Sequence, residues 1–329
     1  MTDDAHRTSV VGPRGALALS VFAATSSSAS GAFGKALVLS GWSTGGVLLP
    51  RTGLAVLVLL PWALWAARLR GVAWRGNIRG VVALGVVGIG GTVVCYYNAA
   101  TTLPIGVAMM VLYISPVLVL GWICVRHRER PAAATVAGAV TALGGLALVV
   151  TAMGVDRPSP GGLAWALGGA ICVATYFLSS DSVSPAVPPT VLACAGLTVA
   201  GACIALLGLT GVLPMRMSSA RVDLGGWSVP PIVPLLLVAC LSTAFVYVAG
   251  FTAVSVLGAR VTSFVALAEP VAALGVAWLL LGETPRPVQL LGCALIVLGV
   301  VLIRADSSGR VRRGVKADGD RAPFLPDPG

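Results

Sequence analysis

One carboxylate lies deep inside an otherwise apolar stretch of the sequence. Glu269 falls near the middle of residues 260–281 and is the only acidic residue there. A carboxylate in such a position is costly unless it faces an aqueous cavity or a partner, so residues of this kind commonly mark an ion or substrate pathway. Glu269 could therefore bind a substrate cation or carry a coupling proton. The alternative is a structural ion pair with Lys35 or Arg51.

Two basic residues also lie within apolar stretches. Lys35 and Arg51 fall toward the outer ends of the first two stretches. A lysine near the end of a membrane-spanning helix can extend its ammonium group to the interface, which explains Lys35 without a function. Arg51 lies about two turns deep in its span. Its guanidinium could bind a substrate carboxylate or phosphate, or it could have a structural role. Both residues are candidates for substrate binding or coupling.

All five tyrosines fall inside apolar stretches. A buried tyrosine hydroxyl needs a hydrogen-bond partner, so these residues suit a cavity lined by polar groups. Some of them would instead bond only to a neighbouring helix. The tyrosines that we predict to line a substrate cavity are Tyr97, Tyr113, Tyr176 and Tyr247.

Two prolines occur near the middle of apolar stretches. Pro116 and Pro270 lack a backbone N–H, and each would bend a helix and free the carbonyl four residues earlier. The functional interpretation is a hinge, or a polar point facing a transport pathway. The alternative interpretation is a kink that serves packing alone.

The elements that must position these residues are membrane-spanning helices. Of the 329 residues, 57% are hydrophobic and 10% are charged, and the mean hydropathy is +0.94. A soluble domain has about a quarter of its residues charged, so the composition excludes a soluble enzyme. A helix crosses the bilayer with about 20 apolar residues. The predicted spans are residues 15–38, 45–67, 78–98, 104–125, 131–153, 161–182, 189–212, 231–253, 260–281 and 286–304.

The basic residues are distributed unequally between the predicted loops. With the N-terminus in the cytoplasm, sixteen of the 22 Lys and Arg residues fall on the inner side and four on the outer side. Positively charged loops stay in the cytoplasm, so both termini are predicted to be cytoplasmic. The net charge of +10 then reflects topology rather than nucleic-acid binding.

The sequence contains an internal repeat. A shift of 154 residues aligns the fourth and fifth spans with the ninth and tenth without a gap. Coincident residues include Pro116 with Pro270, Glu129 with Glu283, Gly138 with Gly292, and Gly145 with Gly299. Since the repeated unit has five spans, the second copy must enter the membrane in the opposite orientation. Inverted repeats of this kind are typical of secondary transporters, whose substrate sites lie near the midplane.

Other kinds of site have little support in the sequence. The seven cysteines all fall in predicted helices without CxxC spacing, and the two histidines lie outside the spans, far apart. We therefore predict no metal site, no cofactor and no catalytic residue. An intramembrane enzyme would need clustered His, Asp, Glu or Ser residues at one membrane face, which the chain does not offer, and the Walker A motif of an ATPase is missing.

Several motifs together resemble the EamA-type carriers of the drug/metabolite transporter superfamily. The first half of the pattern is Tyr96-Tyr97-Asn98-Ala99-Ala100 through Ala108, then Ser115-Pro116-Val117 and Glu129-Arg130. The second half is Ala268-Glu269-Pro270-Val271, then Leu281-Gly282-Glu283 and Gly292. The resemblance covers roughly residues 15–304. It implies ten helices in two EamA-like repeats, cytoplasmic termini, alternating access, and often export of amino acids or other small metabolites. Asn98, within the first motif, joins the candidate substrate-binding residues.

The sequence therefore predicts an all-α membrane protein of ten transmembrane helices in two inverted five-helix repeats. The predicted segments are a cytoplasmic N-terminal segment, 1–14, the repeats, 15–153 and 161–304, and a basic, disordered cytoplasmic tail, 305–329. We expect a multi-pass protein of the inner (plasma) membrane that exports a small metabolite by alternating access. Protons are one candidate for the coupling ion, and a homodimer is one candidate for the oligomeric state. The alternatives are transport or flipping of a lipid-linked or drug-like amphiphile, and a channel.

Overall fold

The computed structural model describes most of the chain. The described residues are 12–70, 72, 74–103, 108, 111–128, 131–151, 159–183, 187–224, 227–269, 271–272 and 286–319.

Apolar helices account for nearly all of this structure. In chain order they are α1 (Pro13–Leu39), α2 (Thr44–Arg70), α3 (Trp74–Ala83), α4 (Thr92–Thr102), α5 (Ser115–His127), α6 (Ala133–Thr151), α7 (Pro160–Val183), α8 (Pro189–Leu209), α9 (Ile232–Ala239), α10 (Val246–Val265) and α11 (Pro287–Gly319). Two π-helical segments, π1 (Leu84–Gly91) and π2 (Cys240–Phe245), join α3 to α4 and α9 to α10. Proline occupies the first turn of α1, α5 and α8, where its missing N–H would have no helical partner.

Membrane-spanning helices are evident from length and hydropathy. Within the described residues, five helical segments are long and apolar enough to cross a bilayer: Thr44–Leu69, Gly76–Tyr96, Pro160–Val183, Pro189–Leu209 and Ile232–Val265. Three shorter apolar helices, Ser115–Arg126, Ala133–Leu148 and Pro287–Ile303, accompany them. Large apolar side chains also cover the outside of the bundle; Leu57 is 65% exposed and Val125 is 78% exposed. A helix that is apolar on its outward face as well as its inward face is suited to lipid.

The largest buried cluster lies where helices of the two halves of the chain meet. It includes Ala55 of α2, Leu84 of π1, Leu197 of α8 and Phe251 of α10. More generally, helices pack in pairs that take one member from each half: α1 with α10, α2 with α8, α4 with α7, and α6 with α11. The two halves are therefore interleaved rather than side by side.

The α6–α11 pair has a reciprocal glycine contact. A Cβ added to Gly138 would lie 2.7 Å from the Gly299 carbonyl oxygen, and one added to Gly145 would clash with the Gly292 carbonyl. The later residue of α6, Gly145, contacts the earlier residue of α11, Gly292, so the two helices run antiparallel. Gly138 aligns with Gly292 in the sequence repeat, and Gly145 with Gly299. The contact is therefore symmetric, as at an isologous interface between two copies of one unit.

The two π segments also occupy equivalent positions. The same shift of 154 residues places residues 84–91 over residues 238–245, which contain π2. A π segment forms i→i+5 hydrogen bonds and so holds an extra residue in each turn, which makes it rare and often functional. Each half thus has the same departure from regular helix in its third span.

The predicted continuous span through Pro116 is wrong. The helix is interrupted by a turn at Tyr113 and Ile114, and α5 begins at Ser115. Pro116 therefore lies in the first turn of a new helix instead of kinking a continuous one, because proline is tolerated where an N–H has no partner. The second half has the same interruption, with a turn at Ala266 and Leu267 just before Glu269. Pro270 lies outside the described residues.

A second interruption separates two parts of α10. Gly258 has a φ of 77° and breaks the helix there. The positive φ favours glycine because it lacks a Cβ. The Asp181 carboxylate of α7 accepts a hydrogen bond from the Ala259 N–H, which begins the part of α10 that leads toward Glu269. A carboxylate at a helix N-terminus satisfies a free donor and complements the helix dipole.

The segment predicted as a basic, disordered tail, residues 305–329, overlaps the end of α11. The helix α11 continues through the basic segment as far as Gly319. The extension follows from the apolar part of α11, because a helix that is already nucleated can continue residue by residue. Residues 320–329 lie outside the described part of the chain.

A hairpin connects α8 to α9 and has no counterpart in the short α2–α3 connection. Its strands, β1 (Val222–Leu224) and β2 (Trp227–Val229), pair antiparallel. Ser43, between α1 and α2, anchors the segment before it: its Oγ donates to the Pro214 carbonyl at 2.6 Å and accepts from the Arg216 N–H at 2.7 Å. The two halves therefore differ at this connection.

Candidate functional site

Glu269 lies half-buried directly after the interruption at Ala266 and Leu267. Its backbone N–H donates to the Ala266 carbonyl at 3.0 Å, which fixes the residue at the turn. Its Oε1 accepts a hydrogen bond of 2.8 Å from Ser27 Oγ of α1. The Tyr113 side chain, at the equivalent interruption in the first half, also forms a hydrogen bond with the Glu269 carboxylate. Two interrupted helices, one from each half, thus meet at one carboxylate.

An arginine also lies near this group of residues. Arg51 projects from α2, and Tyr247 projects from the start of α10. Tyr247 is close enough to interact electrostatically with both Arg51 and Glu269. The guanidinium and the carboxylate are therefore linked through one phenol in the interior of the bundle.

Aromatic side chains form a wall next to this link. The Tyr176 ring centroid is 5.9 Å from that of Tyr247 and 5.3 Å from that of Phe251. Glycines make room for Tyr176 on both sides. A Cβ on Gly88 would lie 2.9 Å from the Tyr176 Cα, and one on Gly250 would lie 3.0 Å from its hydroxyl oxygen. The wall consists of the half-buried Tyr176 and Tyr247 packed against the fully buried Phe251.

The structure brings together five of the predicted site residues: Arg51, Tyr113, Tyr176, Tyr247 and Glu269. We call these five residues, together with Ser27, the central cluster. The Lys35 and Tyr97 side chains lie outside the described part of the structure. Asn98 has a different setting: its amide donates to the Val94 carbonyl at 2.9 Å, and it lines a cavity of about 30 Å³ with Ile204, Leu207 and Leu213.

A larger cavity of about 300 Å³ lies elsewhere, between Trp65 and Leu69 of α2, Pro189 of α8 and Val248 of α10. Its lining is mostly apolar and includes neither Arg51 nor Glu269. Neither of these two cavities is lined by a residue of the central cluster. The cluster is defined instead by its charges and hydrogen bonds.

Sequence reasoning missed Ser27. The available sign was the run Ser26-Ser27-Ser28 inside an otherwise apolar helix. Small hydroxyl residues are frequent in transmembrane helices for packing alone, so the run did not identify a partner for Glu269.

The central cluster can bind both signs of charge. A carboxylate and a guanidinium form strong, charge-assisted hydrogen bonds with an ammonium and a carboxylate group. Among the described residues, no group of three or more His, Cys, Asp or Glu side chains is placed to hold a metal ion.

Apolar helices that cross the bilayer, interleaved halves and a charged interior cluster together define a polytopic membrane transporter. The comparisons with known proteins identify the family. The profile of the EamA-like transporter family matches residues 14–151 and, a second time, residues 160–305. The chain belongs to this family, whose members are transporters and not enzymes.

Two individual proteins share 30% and 20% sequence identity with the chain. The chain is 30% identical over 224 residues to a protein of Streptantibioticus cattleyicolor described as a "Probable terminal-alkyne amino-acid exporter". The alignment covers 66% of this chain and 70% of the relative. A solved crystal structure aligns with 89% of this chain and 97% of its own, with a TM-score of 0.71 at 20% identity. At that identity the likeness shows the fold alone.

Proposed function

We propose that this protein is a secondary-active carrier that exports a small zwitterionic metabolite, such as an amino acid, across the inner membrane. The observation that carries the proposal is the link from Arg51 through Tyr247 to Glu269. A guanidinium and a carboxylate that both lie near one phenol complement the carboxylate and the ammonium group of an amino acid.

The energetics favour this pairing over a neutral ligand. Charged groups buried away from water are costly unless they are paired. The zwitterion would bond to Arg51 at one end and to Glu269 at the other, alongside the contacts that these two groups already make. Each charge-assisted bond contributes about 1.5–3 kcal/mol, or roughly a tenfold to hundredfold gain in affinity.

The aromatic wall would contact the side chain of the substrate. Tyr176 is half-buried, and its ring packs against that of Tyr247 beside the charged pair. The relative from Streptantibioticus cattleyicolor, whose description names an amino acid with an unsaturated hydrocarbon side chain, supports this class of substrate and the direction of export.

The architecture that we propose is ten helices in two inverted repeats with both termini in the cytoplasm. The antiparallel contact of α6 and α11 supports inversion, because an in-plane twofold axis relates antiparallel helices whereas an axis along the membrane normal relates parallel ones. Alternating access would then come from movement of one group of helices against the other around the central cluster. The interruptions at Tyr113–Ile114 and at Ala266–Leu267 are the hinges we propose, with Pro116 and Pro270 following them.

Glu269 is the coupling residue in this scheme. A carboxyl group that is reached from one side of the membrane at a time can exchange a proton for the ammonium group of the substrate. The serine at the equivalent position, Ser115, cannot do so, so the two halves would share a fold and differ in role.

The test is counterflow in proteoliposomes with three chemically matched probes. These are a labelled apolar amino acid, the amine that lacks its carboxylate, and the carboxylic acid that lacks its ammonium group. We expect counterflow of the amino acid at a rate at least tenfold above that of either analogue, since each analogue lacks one of the two charge-assisted bonds. Equal rates for the three probes would contradict a zwitterion site, and transport of a lipid-like amphiphile alone would support the alternative function.

A further inference from the structure

The π2 segment places a serine against α1. Ser242 is 8% exposed, and its Oγ donates a hydrogen bond of 2.8 Å to the Ser26 carbonyl. The bond joins a side chain of the second half to the backbone of the first. It therefore fixes the position of α1 along π2 whatever side chain stands at residue 26.

The next residue of α1 is the one that contacts the candidate coupling carboxylate. Ser27 Oγ donates to Glu269 Oε1 at 2.8 Å. A hydrogen bond weakens steeply when its length or angle departs from the optimum. A shift of α1 by about 1 Å would therefore break the bond between Ser27 and Glu269.

Two further contacts hold this junction. Thr243, 1% exposed, donates from its Oγ1 to the Val238 carbonyl at 2.9 Å, a partner five residues earlier. The hydroxyl thus supports a carbonyl within the widened turn. Phe245 packs edge-on against Phe22 of α1, with ring centroids 5.4 Å apart. The departure from regular helix therefore coincides with the contact between π2 and α1.

We propose that Ser242 is a positioning residue for Glu269: its hydrogen bond to the Ser26 carbonyl holds α1 so that Ser27 can bond to the carboxylate. The inference rests on the proposed role of Glu269 and deepens it. The π geometry of residues 240–245 supplies the reason, since the extra residue in the turn sets the direction in which Ser242 faces.

The test must separate the effect of Ser242 from the effects of the other groups around Glu269. Tyr113 bonds to the carboxylate directly, Tyr247 interacts with it electrostatically, and Arg51 interacts with Tyr247. None of these three contacts passes through Ser242. A loss caused by removing the Ser242 hydroxyl should therefore disappear when Ser27 is already absent.

The experiment measures the rate at which a hydrophobic carbodiimide labels Glu269 in the purified full-length protein, with Glu269→Gln as the blank. Carbodiimides react with carboxyl groups, and a group released from its hydrogen bond to Ser27 is more available. We expect Ser27→Ala and Ser242→Ala each to raise the rate about fivefold, the effect of one lost hydrogen bond. The double variant should label no faster than Ser27→Ala, because both changes remove the same bond.

Matched variants keep the test specific. Ser255→Ala and Thr25→Ala remove hydroxyls that bond only within their own helices, α10 and α1, and should label at the wild-type rate. Ser242→Thr retains the hydroxyl and should restore slow labelling. Ser242→Cys, a smaller change with a weaker donor, should give an intermediate rate if Ser242→Ala cannot be purified.

Wild-type labelling of Ser242→Ala, or of Ser242→Cys in its place, would overturn the proposal. So would a double variant whose acceleration is the product of the two single effects. Labelling needs no transport, so a failure of the carrier hypothesis would be seen separately as absence of counterflow for every probe.

Discussion

At the scale of single residues, Glu269 breaks the symmetry of the chain. Its repeat counterpart, Ser115, is 2% exposed and opens helix α5, whereas Glu269 accepts hydrogen bonds from α1 and from Tyr113. A carboxylate held in this way can exchange ligands or protons only if transport exposes it. We therefore expect Glu269 to couple transport to a driving ion.

Replacing Glu269 tests the coupling separately from the movement. Glu269→Gln keeps the size of the side chain and removes its charge. We expect the variant to lose accumulation driven by a proton gradient, at least tenfold, because no group remains to carry the proton. The measurement is uptake into vesicles with and without an imposed pH gradient.

The control for this change is Asp223→Asn, which alters an exposed acid of the hairpin. It should behave as wild type. Undiminished gradient-driven accumulation in Glu269→Gln would show that the proton, if one is used, is carried elsewhere.

At the scale of elements, the contact between α6 and α11 depends on glycine. A Cβ on Gly145 would lie 2.8 Å from the Ile296 backbone nitrogen and closer still to the Gly292 carbonyl, whereas a Cβ on the adjacent Gly144 would meet nothing within 4 Å. The chain thus contains its own matched control for close helix approach.

We expect Gly145→Ala to destabilise the protein by about 1–3 kcal/mol, the typical cost of overpacking. Gly144→Ala should be neutral or slightly stabilising, since alanine is the better helix former. The apparent Tm in detergent reports both effects. If the two variants melt alike, the close antiparallel contact is not present in solution.

Some features of the helices could be predicted from the sequence, and others could not. Apolar length located the helices because the cost of exposing backbone to lipid leaves few alternatives. The repeat located the glycines that α6 and α11 use. It did not locate the interruption before Pro116, because proline is compatible both with a kink and with a first turn.

The π segments and Ser27 were missed for a related reason. A π turn holds one extra residue within a helix. Contacts with the neighbouring helices accommodate that residue, so local composition does not predict the turn. Ser27 has its role only because the turn at Ala266 and Leu267 brings Glu269 next to α1. Long-range contacts of this kind leave no local pattern in one sequence.

At the scale of the whole molecule, inversion of the second half is the main topological claim. The antiparallel contact of α6 with α11 favours inversion, and the bias of basic residues favours cytoplasmic termini. Reporter fusions test this: a phosphatase active only outside the cytoplasm should be inactive after Gly329 and active when inserted after Ser218 of the α8–α9 connection. Activity after Gly329 would contradict the topology.

The most direct test of the account is substrate binding to purified protein that carries single changes at the two ends of the central cluster. Arg51→Gln and Glu269→Gln should each weaken binding of the transported amino acid at least tenfold, because each leaves one end of the zwitterion unpaired. Arg79→Gln and Asp223→Asn, which change exposed residues, should bind as wild type does. Wild-type affinity in both cluster variants would show that Arg51 and Glu269 do not form one substrate site.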